Sequence, residues 1–446
     1  MEYTLLIPQF SNLIVTALAF IFCLSVIVFV HEFGHYFIGK LSGIHAEVFS
    51  VGFGPVLLAF YDKNGTKWQI AALPFGGFVR FMGDTRPTDT HELKSITTKD
   101  TATFNRASME GAPLWARFAT VAAGPLFNFI FSGVIFFLIY MNQGVTKFPL
   151  TVESVFESPY QNELEEGDVI RSINNVIVDK DLAKVVNLFD NSGSEEEYTY
   201  AVERDGKTFT LNIIHNPPRI AQVLPKSAAI SAGLDKGDVI LSLNSEKIFN
   251  FNQIKNFVEK SQGEELTVEF WRNGKVRETK LKPLIVDVPM GSGGFERVYR
   301  IGIVSDLFPF EPETEQQSIL NALYGSIQSI YSIMQGSIRG LYHILFGNIS
   351  SCNLSGPISI AETSGQMVKQ GSVNYLWFIA VLSTAIGMIN LFPIPILDGG
   401  HLAFFTIEGL LGKKPNQRLI NSFMTAGFAL LICLMIFAIF NDFLCP

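Results

Sequence analysis

"FVHEFGHYF", residues 29–37, closes an apolar run that begins at Leu13 and carries no charge up to Val30. On a helix, positions four apart share one face, so His31 and His35 stand one turn above each other with Glu32 beside them. Two imidazoles at this spacing can chelate one zinc ion, and a neighbouring carboxylate can serve as general base toward water. Ionisable side chains at membrane depth are costly and mark function. The stretch therefore decides the fold class and the chemistry together: a helix that crosses a bilayer and holds a metal-binding pattern near one end.

Composition agrees with that reading. The chain has 446 residues, of which 48% are apolar and 17% charged, and it contains 40 Phe. Such a balance points to several membrane spans. The net charge of -8 excludes a basic nucleic-acid-binding face as the organising feature. Cys23, Cys352, Cys433 and Cys445 are widely spaced, and their pattern suggests neither a disulfide framework nor a zinc knuckle. Apolar runs at Leu13–Val30, Phe118–Met141, Tyr375–Leu397 and Phe423–Phe440 each have the length of a transmembrane helix. The first has no Lys or Arg before it and no small-residue cleavage site, so it is expected to be a span, not a signal peptide.

Lys413, Lys414 and Arg418 lie between the third and fourth runs, and neither terminus carries Lys or Arg near its span. The positive-inside rule then puts that connection in the cytoplasm, together with the loop from Lys40 to Arg117, and both termini outside. The long segment between the second and third runs falls on the outer side. It holds a repeat: "LEEGDVIRSINNVIV" at 164–178 matches "LDKGDVILSLNSEKI" at 234–248. Each copy is followed by a strand-turn-strand pattern, through Asp205-Gly206 and Asn273-Gly274. An acidic run at 194–197 reads as a solvated loop.

The "LxxGDVIxSxN" repeats resemble PDZ domains, which take extended peptide tails at a sheet edge. Peptide capture and steric exclusion of large proteins are equally open roles for the pair. A catalytic zinc also needs a third protein ligand. His45 follows Gly39, Ser42 and Gly43 and reads as a loop residue. The better source is "NLFPIPILDGGHLAFF" at 390–405, where Pro393 and Pro395 break an apolar helix just before Asp398. Broken helix at membrane depth is tolerated where it lines an enclosed polar cavity. Asp398 is thus the expected ligand, with His401 as a weaker rival.

With "HEFGH" in the first span, "NLFPIPILDGG" in the third and two PDZ-like units between, the chain resembles the site-2 protease family of intramembrane zinc metalloproteases, in its bacterial branch with tandem PDZ domains. "LPFGGFVRFMGD" at 73–84, "AAGPLFNF" at 122–129 and "SGPISIA" at 355–361 add to the likeness. The resemblance implies zinc held by His31, His35 and Asp398, Glu32 as catalytic base, and Asn390 beside the site in contact with substrate or oxyanion. Where the family often has a further asparagine, this chain has Ala385. The substrates implied are single-span membrane proteins already trimmed on the outer side, an anti-sigma factor above all and leftover signal peptides besides, cut within a bacterial inner membrane as part of an envelope-stress cascade.

The stretch from Val51 to Gly83 alternates around Pro74, Gly76 and Gly77 and reads as bent strands, not a helix. Hydrolysis needs substrate backbone released from helical hydrogen bonds. Residues Phe75, Gly76, Gly77 and Phe78 are therefore expected to clamp an unwound substrate strand. The stretch at 317–347 has apolar residues at three- and four-residue spacing and reads as an amphipathic helix against lipid or the spans. The architecture expected is a polytopic α-helical membrane protein with four transmembrane helices, a membrane-associated cytoplasmic β-loop and two mainly-β PDZ-like domains on the outer side. Its parts are residues 1–143 (first membrane part), 144–216 and 217–290 (PDZ-like modules), 291–372 (connecting segment with the amphipathic helix) and 373–446 (second membrane part). The competing reading is a PDZ-based membrane receptor or scaffold with a non-catalytic metal site, for which Glu32 would have no use.

Overall fold

The computed structural model describes residues 6–83, 106–160, 162–179, 184–185, 197–214, 218–290, 294–413 and 416–444. Positions 194–196 of the acidic run, Asp84, Lys414 and Cys445 lie outside them. The chain divides into two compact units: Met1–Ile139 with Leu320–Tyr342 and Leu354–Pro446, and Tyr140–Ile319 with His343–Asn353. The helices that matter below are, in chain order, α1 (Leu6–Leu41), α2 (Leu114–Gln143), α3 (Phe251–Lys260), α4 (Ile319–Leu345), α5 (Pro357–Lys369), α6 (Ser372–Asn390), α7 (Asp398–Leu411) and α8 (Gln417–Leu444).

Four helices are long and apolar enough to cross a membrane: Leu13–Leu41, Leu114–Gln143, Ser372–Asn390 and Ile420–Leu444. The first continues well past Val30, so "FVHEFGHYF" is wholly helical. The third stops at Asn390, short of the expected end at Leu397. Pro393 and Pro395 give the physical reason: they donate no N–H and push the preceding residues toward extended backbone. Helix resumes at Asp398. Farther along α7, Glu408 accepts two hydrogen bonds from the Arg117 guanidinium of α2, at 3.0 and 2.6 Å, both side chains being largely buried. The amino end of α5 is closed by a carboxylate from α8: Asp442 accepts from the backbone N–H groups of Gly356, Ile358 and Ser359. A negative group there answers unpaired N–H groups and the helix dipole, which gives "SGPISIA" its structural task.

Between α1 and α2 lies a hairpin of β1 (Ala46–Tyr61) and β2 (Lys67–Phe81). This is the bent-strand reading of that stretch, begun at Ala46 instead of Val51. Both arms fold back on themselves. Residues 48–51 pair on one side with 77–80 and on the other with 67–70, and 67–71 pair again with 56–61. Phe49, Val79 and Phe81 bury against Tyr36 of α1 and Ala116 of α2, with Trp68 stacked on Phe49 at 4.3 Å between ring centroids. Asp62 staples the hairpin to α1 by accepting from the Tyr36 hydroxyl at 3.0 Å. Desolvation opposes its ionisation, but the N–H groups of Thr66 and Asn64 and the Tyr36 hydroxyl prevail and hold its pKa down to about 2.

The second unit contains two β modules of the same plan. In each, four strands lie side by side in the order 176–177, 169–173, 198–204, 207–213 in one, and 246–247, 239–243, 266–272, 275–281 in the other. The expected hairpin turns are present, with positive φ at Asp205 and Gly206 and at Asn273 and Gly274, as tight primed turns require. The repeated Asp has one role in both copies. Fully buried Asp168 receives the Arg204 guanidinium at 2.7 and 2.8 Å, and fully buried Asp238 receives that of Arg272 at 2.5 and 2.6 Å. Each Arg also reaches a backbone carbonyl, of Glu163 and Gly233. Removing one partner of a buried pair strands the other at a cost of about 3–5 kcal/mol. Asp238→Ala is therefore expected to destabilise its module by that order, read as a drop in the denaturant midpoint; an unchanged midpoint would show that the pair is dispensable.

The modules are nested, not consecutive. Strand Ile303–Ser305 pairs with Ile220–Val223 and completes the second module, whose core includes Ile301. Strand Phe310–Pro312 then pairs with Val152–Val155, and Phe308 and Phe310 enter the core of the first module. The boundaries expected at 216 and 290 leave out these returning strands. Cys352, in the same unit, is disulfide-bonded, a bond its sequence spacing did not announce, while Cys23 and Cys433 are free thiols.

Candidate metal and catalytic site

α1 brings His31 and His35 to one face, and the break after Asn390 delivers Asp398 to the same point. His31 Nε2 lies 3.0 Å and His35 Nε2 3.4 Å from Asp398 Oδ2, and the two Nε2 atoms are 3.2 Å apart. Zinc bound tetrahedrally at about 2.1 Å separates its ligand atoms by roughly 3.4 Å, so the three atoms have the spacing of three corners of such a site. Asp398 Oδ2 is buried and accepts no hydrogen bond, as a ligand oxygen awaiting a cation would be. Among the described residues, His31, His35 and Asp398 are the group able to hold a metal ion; His45 and His401 are not in it.

α2 makes the wall behind the histidines. The α1 and α2 backbones touch through two glycines. A Cβ on Gly34 would fall 2.5 Å from the Ala123 carbonyl oxygen, and one on Gly124 would fall 2.5 Å from His35 Cε1 and 2.9 Å from His31 Cε1. Small residues at such crossings let membrane helices approach closely. The approach brings the Thr120 carbonyl to His35 Nδ1 at 2.9 Å, which puts the imidazole N–H on Nδ1 and leaves Nε2 free to ligate. Pro125, inside α2, has no N–H for the Val121 carbonyl and loosens the helix at this level.

Glu32 faces the hairpin. A Cβ on Gly77 would lie 3.3 Å from Glu32 Cγ and 3.0 Å from Val28 Cγ1, so the start of the 77–81 segment passes directly over the carboxylate-bearing turn of α1. Among the described residues that segment pairs only with 46–51. Phe78 pairs with Ser50 and Gly77 with Val51; Gly76 has φ 133° and lies against the Phe53 ring. Phe75 belongs to β2, but its side chain is outside the described atoms. Asn390 ends α6, half-buried, at the point where the bend toward Asp398 departs. Ala385 is half-buried five residues earlier on α6. Gly124 and the Thr120 carbonyl were not singled out from sequence; the signal present was "AAGPLFNF", small residues and a proline within an apolar run.

The family model for peptidase family M50 matches residues 19–434. The chain belongs to peptidase family M50. A Rhizobium meliloti (strain 1021) protein whose name describes a zinc metalloprotease is 32% identical over 434 residues, covering 97% of each chain. The regulator of sigma-E protease RseP of Salmonella typhimurium (strain 14028s / SGSC 2262) is 29% identical over 454 residues, covering 95% of this chain and 97% of that one. Among solved structures, the PDZ domain of an SdrC-like protein from Listeria monocytogenes is 14% identical and covers 21% of this chain and 93% of its own, with a TM-score of 0.18. As an M50 member the chain is a site-2 type metalloprotease whose cofactor is zinc.

Proposed function

We propose that this M50 protease cleaves single-span membrane proteins within the bilayer, with His31, His35 and Asp398 holding zinc and Glu32 as general base. The observation that carries the reading is the convergence of three ligand atoms at 3.0–3.4 Å from two helices far apart in the chain, on a helix apolar enough to span a membrane. When bound there, zinc supplies a Lewis acid that polarises the scissile carbonyl and lowers the pKa of water toward about 7. Glu32 takes the proton of the attacking water and returns it to the leaving amide nitrogen. Thr120 keeps the His35 ring turned toward the metal through its Nδ1 hydrogen bond. Asn390 contacts the substrate or the developing oxyanion from the end of α6.

The substrate lies along the 77–81 segment as an added strand, its backbone paired at that edge and its scissile bond presented above Glu32. Gly76, Gly77 and the neighbouring Phe75 and Phe78 form the clamp. Phe78→Pro, which removes one strand N–H beside Ser50, is expected to slow cleavage about tenfold or more with zinc content intact; turnover equal to the parent would remove the clamp from the mechanism.

The substrate class is an anti-sigma factor, in keeping with a relative named for regulating sigma-E, with remnant signal peptides as a second group. Cleavage follows trimming on the outer side and feeds an envelope-stress response in a bacterial inner membrane. Both termini and the nested PDZ-like modules face the periplasm. Lys413 and Arg418 between the last two spans support that orientation, as does the disulfide at Cys352, since such bonds persist in oxidising compartments. The modules admit substrates by size or by binding peptide tails, and the exposed apolar side of α4, with Leu320, Tyr324, Ile327 and Tyr331, rests against lipid. Purification in detergent, metal analysis and cleavage of a reporter single-span substrate with and without chelator test the whole reading; chelator-resistant cleavage would overturn it.

A further inference from the structure

We propose that Asn128 is a positioning residue for the metal site: its side-chain amide holds His31 in the tautomer and ring orientation that turn Nε2 toward His35 and Asp398. The inference rests on the assignment of those three residues as zinc ligands. A neutral imidazole carries one N–H. With both Nε2 atoms directed at one point, each Nδ1 must bear the proton, and each N–H needs an acceptor. For His35 the acceptor is the Thr120 carbonyl. For His31 the polar group facing Nδ1 is the amide of Asn128, whose Nδ2 stands 3.3 Å away.

In that pose the other end of the amide is stranded. Asn128 is fully buried, and its Oδ1 has no hydrogen-bond partner. The two ends of an amide have nearly the same shape. A half-turn about Cβ–Cγ therefore brings Oδ1 to His31 Nδ1 without disturbing the packing. The rotation pairs the orphaned buried oxygen with the N–H of the histidine and turns the amide NH2 to the place the oxygen held.

Everything else about the residue is fixed. Its backbone carbonyl accepts from Ser132 Oγ at 2.9 Å and from Ser383 Oγ of α6 at 3.1 Å. A Cβ on Gly387 of α6 would lie 3.1 Å from Asn128 Cβ. The side chain is thus clamped between α2 and α6 with its amide aimed at the histidine.

The test is zinc affinity, measured by chelator competition on the detergent-purified full chain without reference to turnover. Asn128→Leu preserves shape but cannot accept a hydrogen bond, and is expected to weaken zinc binding about 10–100-fold, the usual effect of losing an outer-shell partner. Asn128→Asp keeps an acceptor and is expected to bind within about threefold of the parent, which rescues the site and separates positioning from packing. Equal affinity in Asn128→Leu and the parent, or equal loss in both variants, overturns the inference. His31→Ala is the companion: if it keeps parental affinity, the ligand assignment itself fails; if it loses zinc while Asn128→Leu does not, only the role of Asn128 fails. Should the variants not fold, histidine-¹⁵N spectra of the zinc-loaded parent decide, with protonated Nδ1 and metal-bearing Nε2 at His31 expected and the reverse overturning the proposal.

Discussion

Glu32→Gln is expected to leave zinc bound at the parental stoichiometry and to lower peptide-bond cleavage by about 10²–10⁴-fold, the range over which a positioned general base contributes. Glutamine keeps the shape of the side chain on α1 and its place under Gly77, but its amide cannot take up a proton at neutral pH. The proposed ligand atoms are those of His31, His35 and Asp398, the group able to hold a metal ion among the described residues, so on that reading metal content has no reason to change. The measurement pairs metal analysis with turnover of a single-span reporter. Cleavage within about tenfold of the parent would exclude Glu32 as the base. Loss of zinc along with activity would make Glu32 part of the metal site.

Gly124→Ala is the second large effect, from a single methyl group. The added Cβ would stand 2.5 Å from His35 Cε1 and 2.9 Å from His31 Cε1, and nearer still to His35 Nε2. Neither ring can retreat easily, because His35 is tied to the Thr120 carbonyl and Gly34 already touches the Ala123 backbone. The methyl must therefore displace an imidazole ring or part the two helices. Zinc affinity is expected to fall by about 100-fold or more, beyond the loss typical of an outer-shell change. Gly133→Ala on the same helix is the control. Its Cβ would meet Ile330 Cδ1 at an ordinary 3.5 Å, and zinc binding should be untouched. Parental affinity in Gly124→Ala would mean that zinc binding does not depend on the close approach of α1 and α2.

These two residues also mark how far sequence could be read. Glu32 stood within a compact pattern whose spacing has one helical consequence, and Asp398 was betrayed by the prolines before it. The α1 histidines, the hairpin turns at 205–206 and 273–274 and the strand character of 51–83 all rest on local signals, which is why they were legible. Gly124 and Asn128 carry no charge and follow no spacing rule of their own; their roles exist only once α2 is placed against α1. The end of the third apolar helix at Asn390 follows from Pro393 and Pro395, whereas hydropathy alone runs it on to Leu397. Least legible was the nesting of the β modules. Nothing local in "FPFEP" at 308–312 tells that it completes a sheet with residues 152–155; the partner is chosen by the core that Phe308 and Phe310 help to fill.

That nesting makes the paired modules a plug-in cassette. The chain goes in through Val145–Thr146 and comes out through Thr314–Glu315, and those two short strands lie hydrogen-bonded side by side. A segment whose ends meet can be gained, lost or exchanged in one genetic event without re-routing the flanking helices. Evolution could thus exchange these β modules while leaving the helices that carry His31, His35 and Asp398 alone, and a laboratory could splice in a foreign domain at the same seam.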